Sequence, residues 1–94
     1  MIDRIKKNEE RLDAAVETVK KLEEAIELYK QNKKDISLLN KYYGSKNWFN
    51  DKKALEEGKL PKIKAGVLSE DAVWNMNEDL NSALKEMKKI IKNK

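Results

Sequence analysis

The residues best placed to do chemistry are aromatic rings interleaved with cations. Tyr42, Tyr43, Trp48 and Phe49 alternate with Lys41, Lys46, Lys52 and Lys53. Such a pattern suits single-stranded nucleic acid, because bases stack on rings while ammonium groups meet phosphates. Burial competes with that reading. The chain has six aromatics in all, and each contributes a large apolar area to whatever core forms. No arginine follows Arg11, and no RNA- or DNA-binding signature is present. The rings are therefore read first as a hydrophobic plug. Tyr43, Trp48, Lys52, Lys59 and Lys62 are the candidate partner-binding residues of this segment.

Other constellations fall short of a reactive site. Lys62, Lys64 and Gly66 approach the start of the last helix, where backbone N–H groups could hold a phosphate. Glu70 and Asp71 already bring negative charge there and would repel an anion. Carboxylates gather at Glu23, Glu24 and Glu27, at Glu56 and Glu57, and at Glu78 and Asp79. A di-iron bundle needs Glu-x-x-His pairs, and the chain has no histidine. A calcium loop needs alternating oxygen ligands about a glycine, a spacing not found here. Ser37, Ser45, Ser69 and Thr18 lack an imidazole base. The Ser45/Lys46 pair diverges at a helix start. Neither an enzyme, a metal nor a cofactor is expected.

The elements that would position these residues are helices. From Ile2 to about residue 30 the apolar positions Ile2, Ile5, Leu12, Ala15, Val16, Val19, Leu22, Ile26 and Tyr29 follow steps of three and four. Gln31-Asn32-Lys33-Lys34-Asp35 is a polar gap without Gly or Pro, so a helix over about 35–43 is either continuous with the first or capped by Asp35. Gly44 ends it. Ser45 starts a short helix over about 46–57, with Trp48, Phe49 and Leu55 facing inward, and Gly58 closes it. Residues 58–68 read as a connector, with a helical turn beginning at Pro61. Ser69 caps a last helix over about 70–92, whose stripe is Val73, Met76, Leu80, Ala83, Leu84, Met87, Ile90 and Ile91. No segment alternates with period two.

The expected fold is all-α: a small antiparallel helical bundle forming a single domain over 1–94. Two long amphipathic helices make the hairpin, and the short helix packs between or across them, anchored by Trp48 and Trp74. Ninety-four residues hold one small core. The absence of cysteine excludes disulfides and thiolate metal sites. No run of about 18 apolar residues spans a membrane, and the charged start carries no signal-peptide core, so a cytoplasmic protein is expected. The net charge is +4, and its distribution is uneven. Residues 1–30 hold 7 bases and 8 acids (−1), residues 31–68 hold 9 and 4 (+5), and residues 69–94 hold 5 and 5 (zero).

Ordered strings in the middle resemble a known family. Tyr42-Tyr43-Gly44-Ser45, then Trp48 and Asp51, then Gly58-Lys59-Leu60-Pro61, then Gly66-Val67-Leu68-Ser69-Glu70-Asp71 and Trp74 are similar to the bacterial domain-of-unknown-function family number 4298. The opening Asp3-Arg4-Ile5 is similar as well, and the resemblance covers nearly the whole chain. It implies a small, single-domain, helical bacterial protein without an assigned activity, cofactor or catalytic residue. Within that pattern Lys52 stands where an aromatic is common, Ala65 where a basic residue is usual, and Asp79 where an Asn is expected.

Two functions are expected from these features. The first is a non-catalytic protein–protein interaction or self-association module, with a protein partner or a homo-oligomer such as a dimer. The second is weak nucleic-acid binding through the basic aromatic middle. Ionic strength separates them, because phosphate contacts weaken steeply with salt and apolar packing does not.

Overall fold

The computed structural model describes all 94 residues and is all-α, with three α-helices and no strand. α1 is Ile2–Tyr42, α2 is Lys46–Glu56 and α3 is Ala72–Lys92. A single 3₁₀ turn, Gly66–Leu68, lies between α2 and α3. By contact the chain divides into two units, Met1–Ile36 and Ser37–Lys94. No helix is long and apolar enough to cross a membrane.

α1 runs through the polar stretch at 31–35 without a break, as one helix of 41 residues. Nothing in Gln31–Asp35 interrupts a helix, and Asp35 lies inside it rather than capping a second one. The apolar register also survives the gap, since Ile5, Leu12, Val19 and Ile26 are seven apart and so are Tyr29 and Ile36. Asp3 in the first turn and Lys41 in the last complement the helix dipole. The first unit consists of this helix alone, and α1 has no buried residue.

The second unit holds the core. Gly44, at φ 78°, turns the chain out of α1, and the Ser45 N–H bonds the Tyr42 carbonyl at 2.9 Å. The Ser45 hydroxyl then accepts from the Trp48 N–H at 3.2 Å, the N-cap bond its position predicts. α2 ends in a Schellman motif at Gly58, φ 70°. There the Lys59 N–H reaches the Ala54 carbonyl and the Gly58 N–H reaches the Leu55 carbonyl. The chain has no helical turn at Pro61; its one turn of 3₁₀ helix begins at Gly66, which does not take a positive φ. Ser69 is not the N-cap of α3, which falls at Asp71 without a side-chain capping bond, although the Ser69 hydroxyl accepts from the Ala72 N–H at 3.1 Å. Glu70 and Asp71 form the lead-in to α3 rather than its first turn.

Trp48 of α2, Leu68 of the 3₁₀ turn and Val73 of α3 are the buried residues. The connector is thus the hub of this unit, since the 3₁₀ turn packs against both α2 and α3. Phe49 and Trp74 do not join the core, each being 59% exposed. Helix geometry explains both. Neighbours in a helix point about 100° apart, so Phe49 turns outward where Trp48 turns in, and Trp74 turns outward where Val73 turns in. Leu55 is exposed as well. Along α3 the stripe is half-buried at Met76 and Leu80 and exposed from Leu84 onward.

Candidate functional site

Trp48 organises the aromatic middle. Its ring is 4% exposed, and its Nε1–H donates to the Val67 carbonyl at 2.9 Å. An indole can be buried at low cost only when that N–H finds an acceptor, and the 3₁₀ turn supplies it. Tyr43 meets Trp48 edge-on with centroids 5.2 Å apart, and Phe49 does so at 5.0 Å. The Tyr43 hydroxyl donates to the Glu70 carbonyl at 2.6 Å, tying the end of α1 to the lead-in of α3.

Lys52 closes the cluster. Its Nζ lies 5.2 Å from the centre of the Trp48 ring and 2.8 Å from Glu70 Oε1. The hydrogen bond to Glu70 is the largest influence raising the Lys52 pKa above its ordinary value, and the same bond lowers that of Glu70. Beside this cluster the Tyr42 hydroxyl donates to Asp51 Oδ2 at 2.6 Å, which raises the phenol pKa. These shifts hold the ammonium, the carboxylate and the phenol in their resting forms. A lysine or tyrosine recruited as a base or nucleophile needs the opposite shift.

Of the five residues proposed for partner binding, the fold brings three together: Tyr43, Trp48 and Lys52. Lys59 stands apart, 2.8 Å from Glu57 Oε2, and Lys62 is exposed in the connector. Sequence reasoning missed Glu70 as the meeting point of Tyr43 and Lys52. It also missed the pairing of Tyr42 with Asp51 and the reciprocal amide pair of Asn40 and Asn77, at 3.2 and 2.7 Å. No periodicity signals such links, because the partners lie on different elements. No group of three or more Asp or Glu side chains is arranged to hold a metal ion.

The model of the family described as "Domain of unknown function (DUF4298)" matches residues 5–90. The chain belongs to that family. Neither a curated protein nor a solved structure matches it. The strings that resembled the DUF4298 family fall largely on positions with structural work. Tyr42 and Asp51 pair, Tyr43 and Glu70 pair, Gly44 and Gly58 take positive φ, Ser45 caps α2, Ser69 accepts from the Ala72 N–H, and Trp48 and Leu68 are core.

Two helices of this DUF4298 chain leave apolar side chains exposed. On α1 the residues Ile2, Ile5, Leu12, Val16, Val19, Leu22 and Ile26 range from 40% to 63% exposed. On α3 Leu84, Met87, Ile90 and Ile91 are exposed likewise, beside an open depression lined by Lys85, Lys88, Lys89 and Lys92.

Proposed function

We propose that this DUF4298 protein is a non-catalytic interaction module that associates with a protein partner or with itself through its helix faces. The observation that carries this reading is the row Leu12, Val16, Val19, Leu22 and Ile26 on α1, regularly spaced apolar side chains left 40–59% exposed. A contiguous exposed apolar face on a soluble chain marks a contact surface, and stripes at this spacing pack against another helix. In this reading the small antiparallel bundle is completed when the stripes are covered. A bacterial, cytoplasmic setting belongs to the same proposal.

The alternative, nucleic-acid binding by the basic aromatic middle, has less in its favour. The Trp48 ring is interior, and Lys52 and Lys59 lie against carboxylates. Phe49 and Lys62 are the members of that segment best left to meet a base or a phosphate.

A pull-down tests the choice. Tagged protein is co-expressed with an untagged copy, then lysate is split with and without nuclease and washed at low and high salt. Protein retained through nuclease at low salt supports the interaction module. Nucleic acid that is retained at low salt and released at high salt would replace it with the alternative.

A further inference from the structure

We infer that the partner of the α1 stripe is α3 of a second copy, the two packing antiparallel and matched by charge. This inference rests on the interaction reading above and names its partner. Both faces have the shape required. Leu12, Val16, Val19, Leu22 and Ile26 on α1, and Leu84, Met87 and Ile91 on α3, continuing from half-buried Leu80, step by three and four. The α1 set spans roughly 21 Å of helix at 1.5 Å per residue and the exposed α3 set roughly 10 Å, so α3 covers part of the α1 face.

Charge decides the partner. Residues 13–29 carry five acids against two lysines, a net −3, while residues 80–92 carry four lysines against one glutamate, a net +3. A second α1 face would bring −3 against −3, and a second α3 face +3 against +3. Like charges brought together oppose association and opposite charges favour it. An anionic lipid surface would satisfy α3 but would repel the acidic part of α1.

The flanks give the direction. Viewed from the N-terminus of each helix, Glu24 and Glu27 lie to the same side of the α1 stripe as Lys88 and Lys92 do of the α3 stripe. Lys20 is the base on that α1 flank. Antiparallel packing sets like-sided flanks together, whereas parallel packing would separate them. Under two-fold symmetry the pairing is reciprocal, α1 on α3 twice over.

The test is sedimentation velocity on the full chain across a concentration series. One variant carries Lys85→Glu, Lys88→Glu and Lys92→Glu; a second carries Glu17→Lys, Glu24→Lys and Glu27→Lys; a third carries all six. These side chains are exposed, and with Trp74→Phe in the background unchanged Trp48 emission shows that the core is intact. The wild type is expected to dimerise, with affinity falling as salt rises from about 0.05 to 0.5 M. Each three-residue reversal should weaken dimerisation by on the order of 10- to 100-fold. The six-residue swap should restore it, and the two single-sided variants should form a mixed dimer. Wild-type dimers insensitive to both reversals would overturn the charge-matched pairing and leave self-association standing. A wild type that stays monomeric at every concentration overturns the inference, and self-association with it. A monomer that binds phosphatidylserine vesicles through Lys85–Lys92 overturns it in favour of a membrane surface.

Discussion

At the scale of single residues, the DUF4298 strings are read as fold specification. Trp48 makes the sharpest case, because it is both the largest buried group and a satisfied donor. Trp48→Ala should destabilise the chain by about 3–5 kcal/mol through the cavity it leaves. Trp48→Phe keeps most of the volume but leaves the Val67 carbonyl without its donor, so a loss of about 1–3 kcal/mol is expected. Thermal melting followed by circular dichroism ranks the two. A Trp48→Ala melt equal to wild type would remove this ring from the core. Proton linkage tests the neighbouring pairs. The folded pKa of Glu70 lies below its ordinary 4.5, so its contribution is present above that value and is lost as pH falls through the lowered one. The folded pKa of Lys52 lies above its ordinary 10.5, so its contribution holds below that value and is lost as pH rises through the raised one. The melting difference between wild type and Glu70→Gln should therefore stay constant from about pH 5 to 9 and narrow beyond both ends. Tyr42 behaves like Lys52, its phenol titrating above 10.0, and Asp51→Asn should move that titration back toward 10.0 in ultraviolet absorbance.

At the scale of elements, much was legible because caps and breakers are local signals. Gly58 ends α2 in the left-handed region, and Ser45 makes the capping bond that its position predicts. Gly66 looks the same in sequence and is not the same in the chain: it opens a 3₁₀ turn at ordinary φ. The two glycines should part on substitution. A Cβ at either meets nothing within 4 Å, so sterics with neighbours cannot separate them and backbone strain must. Gly58→Ala should cost about 1–2 kcal/mol, the penalty of a left-handed L-residue. Gly66→Ala should be neutral or stabilising by about 0.4–1 kcal/mol, through a less flexible unfolded chain. Chemical denaturation of both variants checks the contrast, and equal losses would contradict it. What sequence could not supply was long-range. The outward turn of Phe49 and Trp74 depends on which neighbour the core admits. The links from Tyr43 and Lys52 to Glu70 depend on how the connector returns. The continuity of α1 through 31–35 is not decided by sequence, because a polar gap without a breaker is compatible with a bend and with a straight helix.

At the scale of the whole molecule, the two units differ in what stabilises them. Ser37–Lys94 has Trp48, Leu68 and Val73 in a core and hydrogen bonds that join its elements. Met1–Ile36 is helix with its apolar stripe in water. Local terms still favour that helix, including the exposed pairs of Lys7 with Glu10 and Lys21 with Glu17, each contributing about 0.2–0.5 kcal/mol. Helices gain most of their stability from packing an amphipathic face, so in a dilute monomer this stretch should open easily. Covering the stripe by association changes that, since a partner that binds the folded helix stabilises it in proportion to RT ln(1 + [L]/Kd). Amide hydrogen exchange should therefore show weak protection over residues 5–30 at low micromolar concentration. A hundredfold rise in protein concentration should slow exchange there by roughly tenfold or more, if that range crosses the dissociation constant. Amides near Trp48 and Val73 should change far less, because their protection comes from within their own unit. Strong protection of residues 5–30 at every concentration in a monomeric sample would mean that the stripe is covered without a second copy, and the self-association proposal would fall.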